Sequence, residues 1–150
     1  IQAHVCLKAN KPDLIGKSED RVAFIQLRGV IGDFNSSITD NCYKHKEKEA
    51  LVKAVGEAMG RLAPKLKDLN KILEKNEYLL GYITYLDFNL AELVERFSQM
   101  DAEIGTAVTT EYPALLAHVK RVLELPGVKE YRASDRFQAR PHNGGFAGWH

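Results

Sequence analysis

Asp33 and Tyr43 lie ten residues apart on one apolar-patterned stretch, and they carry the most chemistry this chain offers. Asp33 interrupts that pattern in its middle. Charged side chains are rarely buried without a partner, so an acid there reads first as solvent-facing. Tyr43 closes the stretch and reads as an amphipathic packing residue with its hydroxyl wet. Thr84 and Asp87, three apart ahead of an apolar run, have the spacing of a helix capping box. The Asp87 carboxylate can reach back to the Thr84 N–H, and Ile83 and Phe88 then occupy the positions of a hydrophobic staple. Cys6 has no evident basic or histidine partner and Cys42 ends an apolar stripe, so both read as small core residues. His4, His45, His118, His142 and His150 lie far apart, and no metal site is expected. Gly144-Gly145 precedes no helix and reads as a flexible tail, not a phosphate loop.

Composition narrows the class of function. The chain has 150 residues, enough for one domain with a sizeable core. With 21 Lys and Arg against 20 Asp and Glu, a general electrostatic grip on nucleic acid or an anionic membrane is not expected. No apolar run approaches the ~20 residues of a membrane span, and no signal peptide is visible. Two cysteines suit the cytoplasm or another reducing intracellular compartment. The first residue, Ile1, already lies inside a helical pattern, so the chain is expected to be a piece of something longer or numbered from a processed start.

These residues must be positioned by helices. Residues 1–9 look like the tail of a helix whose beginning is missing. Residues 10–17, with Pro12 and Gly16, read as a linker and candidate domain boundary. Ser18 followed by two acids predicts a helix start. The stripe Phe24, Leu27, Ile31, Phe34, Ile38 and Cys42 steps by three or four throughout. Gly29 and Gly32 weaken this helix and suggest close packing against a neighbour. A second helix carries Leu51, Val55, Ala58, Leu62, Leu66, Leu69 and Leu73, with a kink or break expected at Pro64. The helix that Thr84 caps is apolar nearly all round, broken only by Asn89, Glu92, Glu95 and Arg96, and should be buried. A polar loop over 101–110 precedes a helix with Pro113 near its first position. Val128 to Ser134 could form one more. No period-2 strand and no internal repeat is found, and the fold class is all-α.

The stretch from Gly81 to Phe88 resembles the capping box and staple of the central helix in the C-terminal domain of glutathione transferases. The order of elements fits as well: the end of the last helix of a thioredoxin-like domain over 1–9, a linker over 10–17, and a helical bundle of about five helices over 18–150. Val30-Ile31-Gly32-Asp33 followed by Cys42-Tyr43 is similar to the mu class. So are Leu62-Ala63-Pro64-Lys65-Leu66-Lys67, Tyr112-Pro113-Ala114-Leu115, and Ser134-Asp135-Arg136-Phe137 with a late Trp149. The resemblance implies a transferase of detoxification type that adds the glutathione thiolate to apolar electrophiles. It implies that Asp33 meets the γ-glutamyl amine of glutathione bound in the partner subunit of a homodimer, and that Tyr43 donates its hydroxyl into the electrophile pocket. Ser36 falls where the class often has an apolar pocket residue, implying a more polar pocket. Ile25 and Arg28 replace interface acids, and the loop from Gly81 to Thr84 is one residue shorter. The thiol-activating group of such enzymes lies in the thioredoxin-like domain, so these 150 residues alone are expected to be inactive. The alternative is a non-catalytic structural or adaptor subunit of a larger complex.

Overall fold

The computed structural model describes residues 1–140 and 142–149, and those residues form six α-helices and no strand. They are α1 (Gln2–Lys8), α2 (Arg21–Lys44), α3 (Lys48–Lys75), α4 (Tyr85–Ile104), α5 (Pro113–Leu123) and α6 (Pro126–Arg132), with a 3-10 turn at Pro12–Ile15. Four of them close a ring: α2 packs on α3, α3 on α5, α5 on α4, and α4 back on α2. The all-helical class and the long helices stand as the periodicity predicts.

α4 is the buried member. Leu86, Leu90, Leu93, Val94, Phe97 and Met100 are all inaccessible, on more than one face of the helix. Phe97 meets Phe34 of α2 edge-on at 6.4 Å, an arrangement that aromatic quadrupoles favour. Its start is built as the spacing predicts, with both halves of the capping box present. The Thr84 N–H donates to Asp87 Oδ2 at 2.7 Å. The carboxylate does more than cap, because its other oxygen takes the Leu79 N–H at 2.9 Å and so fixes the loop before the helix. Its far end closes on Gly105, which adopts the left-handed conformation that favours glycine.

Three local expectations are corrected. Ser18 does not cap α2. The helix begins at Arg21, and the Asp20 carboxylate, which could have capped it, instead accepts from the Tyr82 hydroxyl at 2.7 Å. Pro64 does not break α3, which runs through it. Pro64 and Gly60, one turn earlier, both face solvent, so water can satisfy the carbonyl that proline leaves without a donor. Gly29 and Gly32 are not packed closely by any of the described residues; a Cβ at either would meet nothing within 4 Å.

The tail is docked, not flexible. The Gly148 N–H donates to the Cys42 carbonyl at 2.7 Å, and a Cβ at Gly148 would fall 1.9 Å from the His45 carbonyl oxygen. Trp149 is buried and donates its indole N–H to Glu103 at 2.9 Å. Pro141 and His150 lie outside the described residues.

Candidate functional site

α2 presents all three predicted site residues. Ser36 and Tyr43, seven apart, share one face of the helix about 10 Å apart along its axis; Asp33 lies off to the side. Asp33 is exposed and pairs with Lys65 of α3 at 2.6 Å. Ser36 is exposed. Tyr43, at the last turn of α2, is 41 % exposed, and its hydroxyl oxygen accepts the Gly144 N–H at 2.8 Å. A hydroxyl has one hydrogen and two lone pairs, so a bond accepted from Gly144 leaves the Tyr43 proton available to donate. Phe146 stands beside it, its ring 75 % exposed with the Lys46 ammonium above it. Tyr43 and Phe146 therefore frame an open, aromatic end of the bundle with one outward-facing donor.

A cleft of about 310 Å³ opens nearer the start of α2, lined by Gln2, Arg28, Gly32, Asn35, Asn89 and Glu92 among others. It includes neither Ser36 nor Tyr43. Beneath it lies a cation whose burial is not legible in the sequence. Arg96, among the residues expected to break the apolar surface of α4, is buried. Its guanidinium donates to the Asn35 side chain, and its Nε sits 3.2 Å from the Glu92 carboxylate without the alignment of a hydrogen bond.

His118 is a second buried polar residue with no warning in the pattern. It sits on the apolar face of α5, fully inaccessible, with Nε2 3.2 Å from the Asp87 carbonyl oxygen. Nδ1 faces the Glu77 carbonyl at 3.4 Å, but Arg121 already donates there at 2.7 Å. Burial holds the imidazole below the usual histidine range against the opposing pull of Asp87, so the neutral form with its proton on Nε2 fits the site. Cys42 is buried too, and burial pushes its thiol up, which suits an inert core sulfur and not a nucleophile. Among the described residues, no group of three or more histidine, cysteine or acidic side chains is placed to hold a metal, and no helix is long and apolar enough to cross a membrane.

A family model described as "Glutathione S-transferase, C-terminal domain" matches residues 32–135. The chain belongs to that family. It is 27% identical over 142 residues to "Glutathione S-transferase P 1" of Bufo bufo, covering 92% of this chain and 64% of the relative. It is 25% identical over 131 residues to "Glutathione S-transferase class-mu 26 kDa isozyme 7" of Fasciola hepatica, covering 86% and 56%. It is also 27% identical over 138 residues to "Glutathione S-transferase class-mu 26 kDa isozyme" of Schistosoma mansoni, covering 91% and 60%. The chain thus spans 56–64% of the length of these curated relatives.

Proposed function

We propose that this chain is the electrophile-binding and dimer-forming part of a glutathione transferase that adds the glutathione thiolate to apolar electrophiles. The observation that carries the reading is the family match over residues 32–135, which spans Asp33, Ser36 and Tyr43. Tyr43 donates its free hydroxyl proton to charge that builds on the electrophile in the transition state. Ser36 lies on the same face and makes the pocket more polar. Asp33 takes the γ-glutamyl ammonium of glutathione held by a partner subunit. For that, the ligand's ammonium must displace the Lys65 ammonium that pairs with Asp33 in this structure. The thiol itself is activated by a thioredoxin-like unit that residues 10–17 link to this bundle. An unperturbed thiol has a pKa of about 8.5 and is mostly protonated at neutral pH, and both cysteines and His118 are buried in the core.

The outer face of α2 supports a homodimer. Val22, Ile25, Gly29 and Gly32 repeat at steps of three and four and are all exposed. Such a stripe is shallow enough for a second helix to approach closely.

The second reading is a non-catalytic structural or adaptor subunit of a larger complex. It is favoured by the Asp33–Lys65 pair, since a carboxylate already neutralised within its own chain has no need of a ligand. A spectrophotometric conjugation assay separates the two. The 150-residue chain and the native protein are each given glutathione and an activated aryl halide. Turnover by the native protein alone, reduced by Tyr43→Phe with little change in KM for glutathione, is the expected result. Turnover by the isolated chain would refute the division of labour, and none from the native protein would favour the adaptor.

A further inference from the structure

The tail that crosses the end of α2 is held by more bonds than a covering segment needs, and they converge on Tyr43. Asn143 donates its side-chain amide to the Trp149 carbonyl at 3.0 Å, and the Ala147 N–H donates to the Gly144 carbonyl at 2.9 Å. Residues 143–149 are thereby closed into one compact unit. That unit is fastened at two further places, one on the peptide that joins Cys42 to Tyr43 and one on α4. The Gly148 N–H holds the Cys42 carbonyl, and the Trp149 indole N–H holds the Glu103 carboxylate near the end of α4. The His142 ring stacks on Trp149 at 5.1 Å and meets Gln99 at 2.6 Å, while the Arg140 guanidinium lies 4.7 Å over the indole. The face of the unit left toward solvent presents a single backbone donor, Gly144 N–H, to the Tyr43 oxygen.

The geometry points to Trp149 and Glu103 as positioning residues for Tyr43, acting through the Gly144 N–H. A phenol at the end of a helix has free side-chain torsions and a hydroxyl that rotates. Accepting from Gly144 restricts both freedoms, since the bond holds the oxygen and occupies one of its acceptor directions. A bond accepted at the oxygen also polarises the O–H, which makes it a better donor. Glu103 and Trp149 touch no substrate. They set where Gly144 lies, and the Gly144 N–H holds the Tyr43 oxygen. The inference rests on the reading of Tyr43 as the substrate-facing donor.

The test combines a kinetic cycle with amide exchange. Trp149→Phe keeps an aromatic ring for the stack and removes the donor to Glu103 together with part of the buried indole, and the Tyr43→Phe background separates that packing loss from any effect on Tyr43. Glu103→Leu removes the acceptor and with it the ion pair to Arg140, and Glu103→Gln restores the acceptor without the charge. In the native protein, Trp149→Phe and Glu103→Leu should each lower kcat by roughly two- to tenfold, about what one neutral hydrogen bond supplies. KM for glutathione should stay unchanged, and Glu103→Gln should recover most of the loss. In a Tyr43→Phe background neither change should lower kcat further, because the group they act through is gone. The Gly144 amide should exchange faster in Trp149→Phe, with core amides of α4 unaffected. Equal losses with and without Tyr43 would overturn the proposal, because the tail would then support only the fold. Full activity of Trp149→Phe alongside a loss in Tyr43→Phe would overturn it as well. No loss in Tyr43→Phe itself would instead sink the parent reading and take this one with it, whatever the Gly144 amide does.

Discussion

Asp87 carries three bonds on one buried carboxylate, from the Thr84 N–H, the Thr84 hydroxyl and the Leu79 N–H. Removing it strands two backbone donors where water does not reach. Each such group costs about 1–3 kcal/mol, so Asp87→Ala should lose roughly 2–5 kcal/mol, more than the ~1 kcal/mol of an exposed cap. Urea titration should show the lower midpoint with an unchanged slope. His118, against the same turn, makes stability depend on pH. Burial lowers its folded-state pKa below the unfolded value of about 6.5. The unfolded chain therefore takes up a proton that the native chain refuses. The stabilisation is complete above about pH 6.5, falls as the pH drops below it, and stops falling once the native imidazole protonates too. Denaturation of wild type between pH 5 and 8 should show this loss, and His118→Gln should reduce it; His142, which burial lowers in the same direction, contributes as well.

At the scale of elements, what was legible depended on how local the cause is. The start of α4 is written in four consecutive residues and stands as read. The start of α2 is not, because Asp20 is claimed by Tyr82, 62 residues away. The start of α5 shows the same limit. Pro113 marks its first turn, yet the orphan donors there, Ala114 N–H and Leu115 N–H, are taken by the Asn70 side chain from α3 at 3.0 and 3.3 Å. Nothing near Pro113 announces Asn70. The tail is the largest miss: two glycines in a polar run suggest freedom, whereas Gly148 is required by close approach. Gly148→Ala should drive the tail off, since its Cβ would meet the His45 carbonyl at 1.9 Å. Trp149 is the sole tryptophan, so its emission should shift to the red and quench more readily, while helical circular dichroism stays nearly constant.

For the whole molecule, the all-helical architecture and the buried α4 were legible because both follow from hydrophobic period. The site was legible only in its residues. That Asp33 is paired and Tyr43 bonded are facts of tertiary contact, set by α3 and by the tail. The open stripe on α2 bears on assembly. Gly29→Arg should leave the fold intact, because nothing lies within 4 Å of the new Cβ, but should convert a dimer to monomers. Sedimentation of the native protein and the variant checks this, with thermal denaturation to show that the variant is folded. A variant that remains dimeric would place the interface elsewhere.

α2 runs 24 residues, about 36 Å at helical rise, and its two ends are answerable to different neighbours. Toward its start lie α1, the cleft and the glycine stripe; at its finish lie the docked tail and the turn into α3. Among the described residues, the tail's named bonds reach α2 at its last turns and α4 at Gln99 and Glu103. On the proposed reading, exchanging exposed tail residues would change what meets Tyr43 without altering the α2 stripe. Among descendants of such a chain, the tail should diversify faster than the α2 stripe.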